Sequence, residues 1–358
     1  MKILISKISF LIRKPKIILI VGRMEKTISF LLFEVLKNFF DVDVLWQIPN
    51  FWPKKEILII NLPQKKLKGV DFFLKNSPFG VLVVSHLSSP PPEGVVFVSP
   101  LKRRKKILNL AKKLSAQNYL ILNFDDETTR EIDDLTNLKT LKYGFSQRAE
   151  IFASDIRLNF GTNFKLNFED KSIPVWLEGV FGKDQIYSAL AVFGVCFLLN
   201  LNLVKVSQIL KQCQFVERKK VLVEGIKGAR ILDDTDSKEI FEIIESLEIL
   251  GKIQGFKRKI AVLADVLGLG KYELEDLEAL GEKVAKNADF LFTLGEKAKF
   301  IGKGAFENGM ESEKIFNFDS LEELKENLKN FIKEGDLILV EGSKNFKMKE
   351  IVSDLEKK

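Results

Sequence analysis

The first long apolar run of the chain, Ile17–Val21, ends on Gly22, and Lys26-Thr27 then opens a segment with helical spacing of apolar residues. A short strand, a glycine turn and Lys-Thr at a helix start form the layout of a phosphate-binding loop. Such a loop works because backbone N–H groups and a helix N-terminus face the phosphates, while lysine adds a point charge and threonine a Mg²⁺ ligand. The position before the lysine favours glycine, which lets the backbone approach the phosphates closely. Here that position is Glu25.

Beyond the loop, strand-like and helix-like segments alternate. Strands are expected at Ile17–Val21, Val42–Trp46, Ile57–Asn61, Gly80–Ser85, Val95–Ser99 and Tyr119–Asn123, with helices at Lys26–Asn38 and Leu101–Leu114. This pattern predicts an α/β fold with a mainly parallel sheet of the phosphate-loop type and helices on both faces. Ligands of such sheets sit at the carboxyl ends of the strands, where Gly22–Thr27, Asn61, His86 and Asp125 fall. From Leu138 to Glu178 the pattern turns β-rich (Phe152–Asn159, Asn163–Phe168, Ile173–Leu177), and helices come next at Asp184–Leu199 and Val204–Cys213. A second alternating unit starts at Ala229–Asp234 and runs through strands Lys259–Ala264, Asp289–Thr293, Lys314–Phe318 and Asp336–Val340. The expected division is a central unit over 1–220 and a smaller, doubly wound C-terminal α/β unit over 221–358.

Composition narrows the function classes. A chain of 358 residues, 46% hydrophobic and 29% charged, is an ordinary globular protein with room for more than one core. Its net charge of +7 is modest, and the dense run Lys102–Lys106 reads first as a solvated helix face, so nucleic acid is not the expected partner. Cys196 and Cys213 lack metal-ligand spacing and read as thiols of a reducing compartment. His86 is the sole histidine, which argues against a histidine-rich metal centre. The N-terminus, interrupted by Lys2, Lys7, Arg13, Lys14 and Lys16, makes a poor signal peptide, and the most apolar run, Ile186–Leu199, is too short to span a bilayer. A cytoplasmic protein without a membrane span is expected.

Several short motifs, in order, resemble the Mur ligases: the loop itself, Asn123-Phe124-Asp125-Asp126, Gly182–Leu190 (GKDQIYSAL), Arg218 at the interdomain linker, and Ile231-Leu232-Asp233-Asp234 at the opening of the C-terminal unit. Arg258–Lys271 and Gly335–Met348 are most similar to the branch of that family that adds D-alanyl-D-alanine. The resemblance covers about residues 15–355 of the sequence. It implies an ATP- and Mg²⁺-dependent amide-forming ligase of peptidoglycan precursor synthesis, in which a carboxylate is phosphorylated by ATP and the acyl phosphate is attacked by an amine. The substrate pair implied is a muramyl peptide and D-Ala-D-Ala. By the same resemblance, Gly22, Lys26 and Thr27 hold phosphates and Mg²⁺, Gln185 lies near the adenine, Arg218 and Asp234 are nucleotide-side residues, His86 is a Mg²⁺-side residue, and the family's carbamylated lysine falls within Lys102–Lys106 in an open register, with Lys105 taken as the catalytic candidate.

The departures from the family pattern are as informative. Glu25 replaces the loop glycine, Asn61 stands where the family carries a Mg²⁺-binding glutamate, and the loop after Asp234 is shortened. About twenty residues precede the loop, where the D-alanyl-D-alanine-adding branch has a UDP-sugar domain, so a partner chain is one expected source of that domain. Two readings stay open: an active ligase with a degenerate ATP site, and a non-catalytic binding or scaffolding protein that kept the two-unit shell.

Overall fold

The computed structural model describes residues 2–22, 24–61, 67, 69–87, 100–213, 220–235, 240–266, 273–342 and 344–357. Among these, the strands form two sheets. The larger has nine strands in the order β2-β3-β1-β4-β5-β6-β7-β8-β9. These are β1 (Lys16–Val21), β2 (Val42–Leu45), β3 (Ile57–Asn61), β4 (Gly80–Val84), β5 (Tyr119–Asn123), β6 (Lys139–Gly144), β7 (Ile151–Leu158), β8 (Gly161–Phe168) and β9 (Lys171–Glu178). Pairing is parallel from β2 across to β7 and antiparallel in the ribbon β7-β8-β9.

The apolar runs are continuous because both faces of the parallel strands are covered. Within β1, Ile18 and Ile20 enter one core, while Ile17, Leu19 and Val21 enter the other. The first core receives α2 (Glu25–Leu36), α6 (Lys183–Leu198) and α7 (Leu203–Gln212). The second receives α1 (Lys2–Arg13), α3 (Val70–Asn76), α4 (Pro100–Ala111) and α5 (Glu127–Asp134). The run Lys102–Lys106 falls on α4, where Arg104 is paired with Glu131 of α5 and Lys105 and Lys106 are exposed. Cys196 is a buried free thiol and Cys213 a half-buried one.

The second sheet has six strands in the order β10-β11-β15-β12-β13-β14. They are β10 (Val221–Glu224), β11 (Arg230–Asp234), β12 (Arg258–Ala264), β13 (Phe290–Leu294), β14 (Ile315–Phe318) and β15 (Asp336–Glu341). One face packs α8 (Ile240–Lys252), α9 (Glu273–Asn287) and α10 (Lys299–Glu307); the other packs α11 (Leu321–Phe331) and α12 (Met348–Leu355). α9 and α10 touch backbone to backbone: a Cβ on Gly281 would stand 2.3 Å from the Ile301 carbonyl, and one on Gly304 2.1 Å from that of Glu278. Gly281→Ala is therefore expected to cost about 2 kcal/mol, because neither backbone can yield as a side chain can; chemical denaturation checks this.

The structure adds elements beyond those expected from the sequence. α3 and α5 are two-turn helices whose stability comes from tertiary packing more than from propensity. β6 interleaves Lys139, Thr140 and Lys142 with apolar residues, and β10 is a half-buried edge strand. α1 was legible only as a run of apolar and basic residues. The expected strand Val95–Ser99 lies outside the described residues, as does Arg218. Among the described residues no helix is long and apolar enough to cross a membrane.

Candidate functional site

The strand order reverses between β1 and β4, and the carboxyl ends of these strands flank the crevice where parallel sheets bind ligands. Gly22 leaves β1 with φ +125°, a conformation that disfavours a side chain. A Cβ there would also meet Ser85 Oγ at 2.1 Å. The chain turns into α2 within a few residues, and Met24 anchors the turn in the core. Glu25 is the first residue of α2 and half-buried, Lys26 is exposed, and Thr27 is fully buried. Among the described residues the Thr27 hydroxyl has no hydrogen-bond partner. A buried hydroxyl of this kind is costly unless something else uses it, so Thr27 fits the role of a metal ligand.

Asn61, at the end of β3 and paired in register with Ile20, is buried. Its Nδ2 donates to Ser29 Oγ at 3.0 Å, and the Ser29 hydroxyl donates to the Glu25 carbonyl at 2.6 Å. The amide thus braces the first turn of α2. It brings no negative charge to the crevice, where a carboxylate would bind a hard cation more strongly.

His86 comes just after β4. Asn123 Nδ2 lies 3.0 Å from its Nε2 and 3.2 Å from its Nδ1, and the Tyr187 ring meets it edge-on at 4.5 Å. Tyr187, from the first turns of α6, donates its hydroxyl to Asp125 Oδ2 at 3.0 Å. Burial and then Asp125 hold the Tyr187 hydroxyl well above the usual phenol range, so it stays a donor. Asp125 also accepts the Phe145 N–H at 2.6 Å, closing the β6–β7 turn. Asp126 caps α5 through Thr128 and accepts the Leu87 N–H at 2.8 Å. The Asn-x-Asp-Asp turn is thereby a brace that fixes the β4 and β5 ends against α6. Tyr187, which the sequence did not single out, is brought to this cluster by the fold; its one signal was its place two residues after Gln185.

Gln185 is buried in the first turn of α6, and its Oε1 has no hydrogen-bond partner among the described residues. Its neighbours Lys183 and Ile186 line a cleft of about 470 Å³ between the two units, together with Leu158 and Thr162 on one side and Ile249 and Lys252 on the other. Asp234 ends β11, fully buried; Ser246 donates to its Oδ2 at 2.5 Å and Lys220 Nζ stands 3.7 Å away. Lys220 also reaches Glu245 at 2.9 Å. Lys26 and Thr27 thus open α2 just beyond β1, Asn61 at the end of β3 braces that turn, and His86 after β4 meets Asn123 and Tyr187, while Asp234 is engaged by Lys220 and Ser246 and Lys105 is exposed on α4.

A Mur ligase middle domain model matches residues 103–196, and a model of the Mur ligase glutamate ligase domain matches residues 218–344. UDP-N-acetylmuramoyl-tripeptide–D-alanyl-D-alanine ligase of Buchnera aphidicola subsp. Acyrthosiphon pisum is 25% identical over 313 residues, covering 83% of this chain and 67% of that protein. The chain spans 36% and 47% of the length of two further curated relatives. Among solved structures, MurF from Acinetobacter baumannii matches with a TM-score of 0.75 at 17% identity, over 99% of this chain and 80% of that one. MurF ligase from Thermotoga maritima in complex with ADP matches at 0.68 and 18%, over 98% and 81%. Ordered motifs, two matching domain models and a shared fold over nearly the whole chain agree: it belongs to the Mur ligase family.

Proposed function

We propose that the chain is an ATP-dependent amide-forming ligase of peptidoglycan precursor synthesis, acting in the cytoplasm with a weakened nucleotide site. The observation that carries this reading is the buried Thr27 hydroxyl without a partner among the described residues, next to exposed Lys26 in the first turn of α2. In this reading Lys26 neutralises the β- and γ-phosphates of ATP and Thr27 holds Mg²⁺, with His86 as a second candidate on the metal side. The metal would supply charge neutralisation on the transferring phosphoryl group. The unused Oε1 of Gln185 beside the interdomain cleft supports a role in reading the adenine. The contacts of Asp234 favour the linker side over direct ribose contact. We place the junction of the two units at residue 220, and assign the acid and amine substrates by class to a muramyl peptide and D-Ala-D-Ala.

Calorimetric titration with Mg-ATP tests the nucleotide site. Lys26→Ala is expected to weaken binding about tenfold, the loss of one charge-assisted contact; equal binding by both proteins would remove Lys26 from the site. A second reading, a non-catalytic binding protein, is favoured by one observation: Asn61 is spent on Ser29 and brings no carboxylate to the crevice. Release of phosphate from Mg-ATP on adding a muramyl peptide and D-Ala-D-Ala decides between them, since a binding protein releases none.

A further inference from the structure

Helix α1 has two differently used faces. Its inner face is pinned to the segment after β2: Ser9 Oγ accepts the Trp52 N–H at 2.9 Å, the Ser6 hydroxyl donates to the Pro49 carbonyl at 2.6 Å, and Phe10 packs edge-on against Trp52 at 4.9 Å. Its outer face carries Leu4, Ile8, Leu11 and Ile12, which are 63, 51, 43 and 74% exposed. These positions have i, i+4, i+7, i+8 spacing and form one apolar stripe on a helix. Phe51, next to the pinned Trp52, is 72% exposed beside it. A contiguous exposed apolar patch on a well-packed domain marks an interaction surface.

Charge identifies the partner. The first 24 residues hold six cations (Lys2, Lys7, Arg13, Lys14, Lys16 and Arg23) and no Asp or Glu, in a chain with 49 acidic residues elsewhere. Arg13 and Lys14 are exposed where α1 ends. A symmetric contact with a second copy through this face would set Arg13 and Lys14 of one copy against those of the other. An anionic lipid surface offers acyl chains for the stripe and headgroup charge for its flanks. We propose that α1 docks this protein, in the plane of the interface, on membranes containing anionic lipid. The inference is independent of the ligase reading.

Co-sedimentation of the full chain with vesicles tests it, comparing phosphatidylcholine alone with phosphatidylcholine mixed with phosphatidylglycerol. Binding is expected to the mixed vesicles and to weaken as salt is raised. Arg13→Glu with Lys14→Glu, and separately Ile8→Gln with Ile12→Gln, are each expected to reduce binding on the order of tenfold or more. Both pairs are exposed, so the melting temperature and ATP binding are expected to stay unchanged. Equal binding to both vesicle types, or unaltered binding by either double variant, would overturn the proposal. So would self-association or capture of a protein through the stripe with no vesicle binding, which would assign the face to a second copy or to a protein partner.

Discussion

Lys220→Met is expected to destabilise the protein by about 3 kcal/mol at neutral pH, because removing one member of a buried ion pair leaves uncompensated charge. Lys220 is 7% exposed at the entrance to β10, between fully buried Asp234 and the half-exposed Glu245. Asp234 lies directly across from buried Glu341 in the β11–β15 register. Burial pulls the Lys220 pKa down, and Asp234, Glu245 and Glu341 more than reverse this, leaving it above the ordinary lysine value. The sign comes from linkage: a raised lysine contributes stability that is fully present below its ordinary value and is lost as pH rises through the folded one. In the variant the deficit has the opposite trend toward acid, since protonating the stranded carboxylates removes their charge. Urea denaturation at pH 7 and pH 5 measures the acid trend. A deficit that does not shrink at pH 5 would assign the loss to packing and not to charge. The same variant is expected to loosen the linker, because Lys220 joins the chain after the first unit to α8.

Glu25→Gly is expected to raise Mg-ATP affinity about 10- to 100-fold. A carboxylate ~4 Å from a phosphate charge costs about 4 kcal/mol at an effective dielectric near 20, and the half-buried position of Glu25 discounts that to roughly 2 kcal/mol. The glycine itself weakens the first turn of α2 by less than about 1 kcal/mol. Glu25→Gln separates the two effects: it removes the charge and keeps the side chain. If Gln restores affinity as fully as Gly, charge is the obstacle; if only Gly does, close backbone approach is. No gain from either substitution, measured by the same titration, would mean that Glu25 does not face the phosphates.

The edge strands β2 and β14 are half-buried and carry Asp43 and Asn317, but β1, β3, β12 and β15 are apolar runs, and these made much of the fold legible in residues 17–61 and 229–340. Burial on both faces leaves no room for polar alternation, so periodicity and composition agreed. The antiparallel ribbon β7-β8-β9 was also readable, since β8 alternates inward and outward residues. α5 was not legible as a helix, because ETTREIDD is polar and is held by the Asp126 cap and by packing against α4. The candidate site could be read only one residue at a time and in chain order, as Gly22, Lys26, Thr27, Asn61 and Gln185, with no signal of which of these side chains meet.

The sequence by itself determined the parallel α/β architecture, the placement of Lys26 and Thr27 at a strand-to-helix turn, and the family, because these depend on local pattern and order. Tertiary structure decided which polar groups are already committed. Asn61 is tied to Ser29, Asp234 to Lys220 and Ser246, and Asp125 to Tyr187, while Thr27 Oγ1 and Gln185 Oε1 have no partner among the described residues. The reason is that hydrogen-bond satisfaction is a property of neighbours in space, and those neighbours lie from 12 to 62 residues apart in the chain.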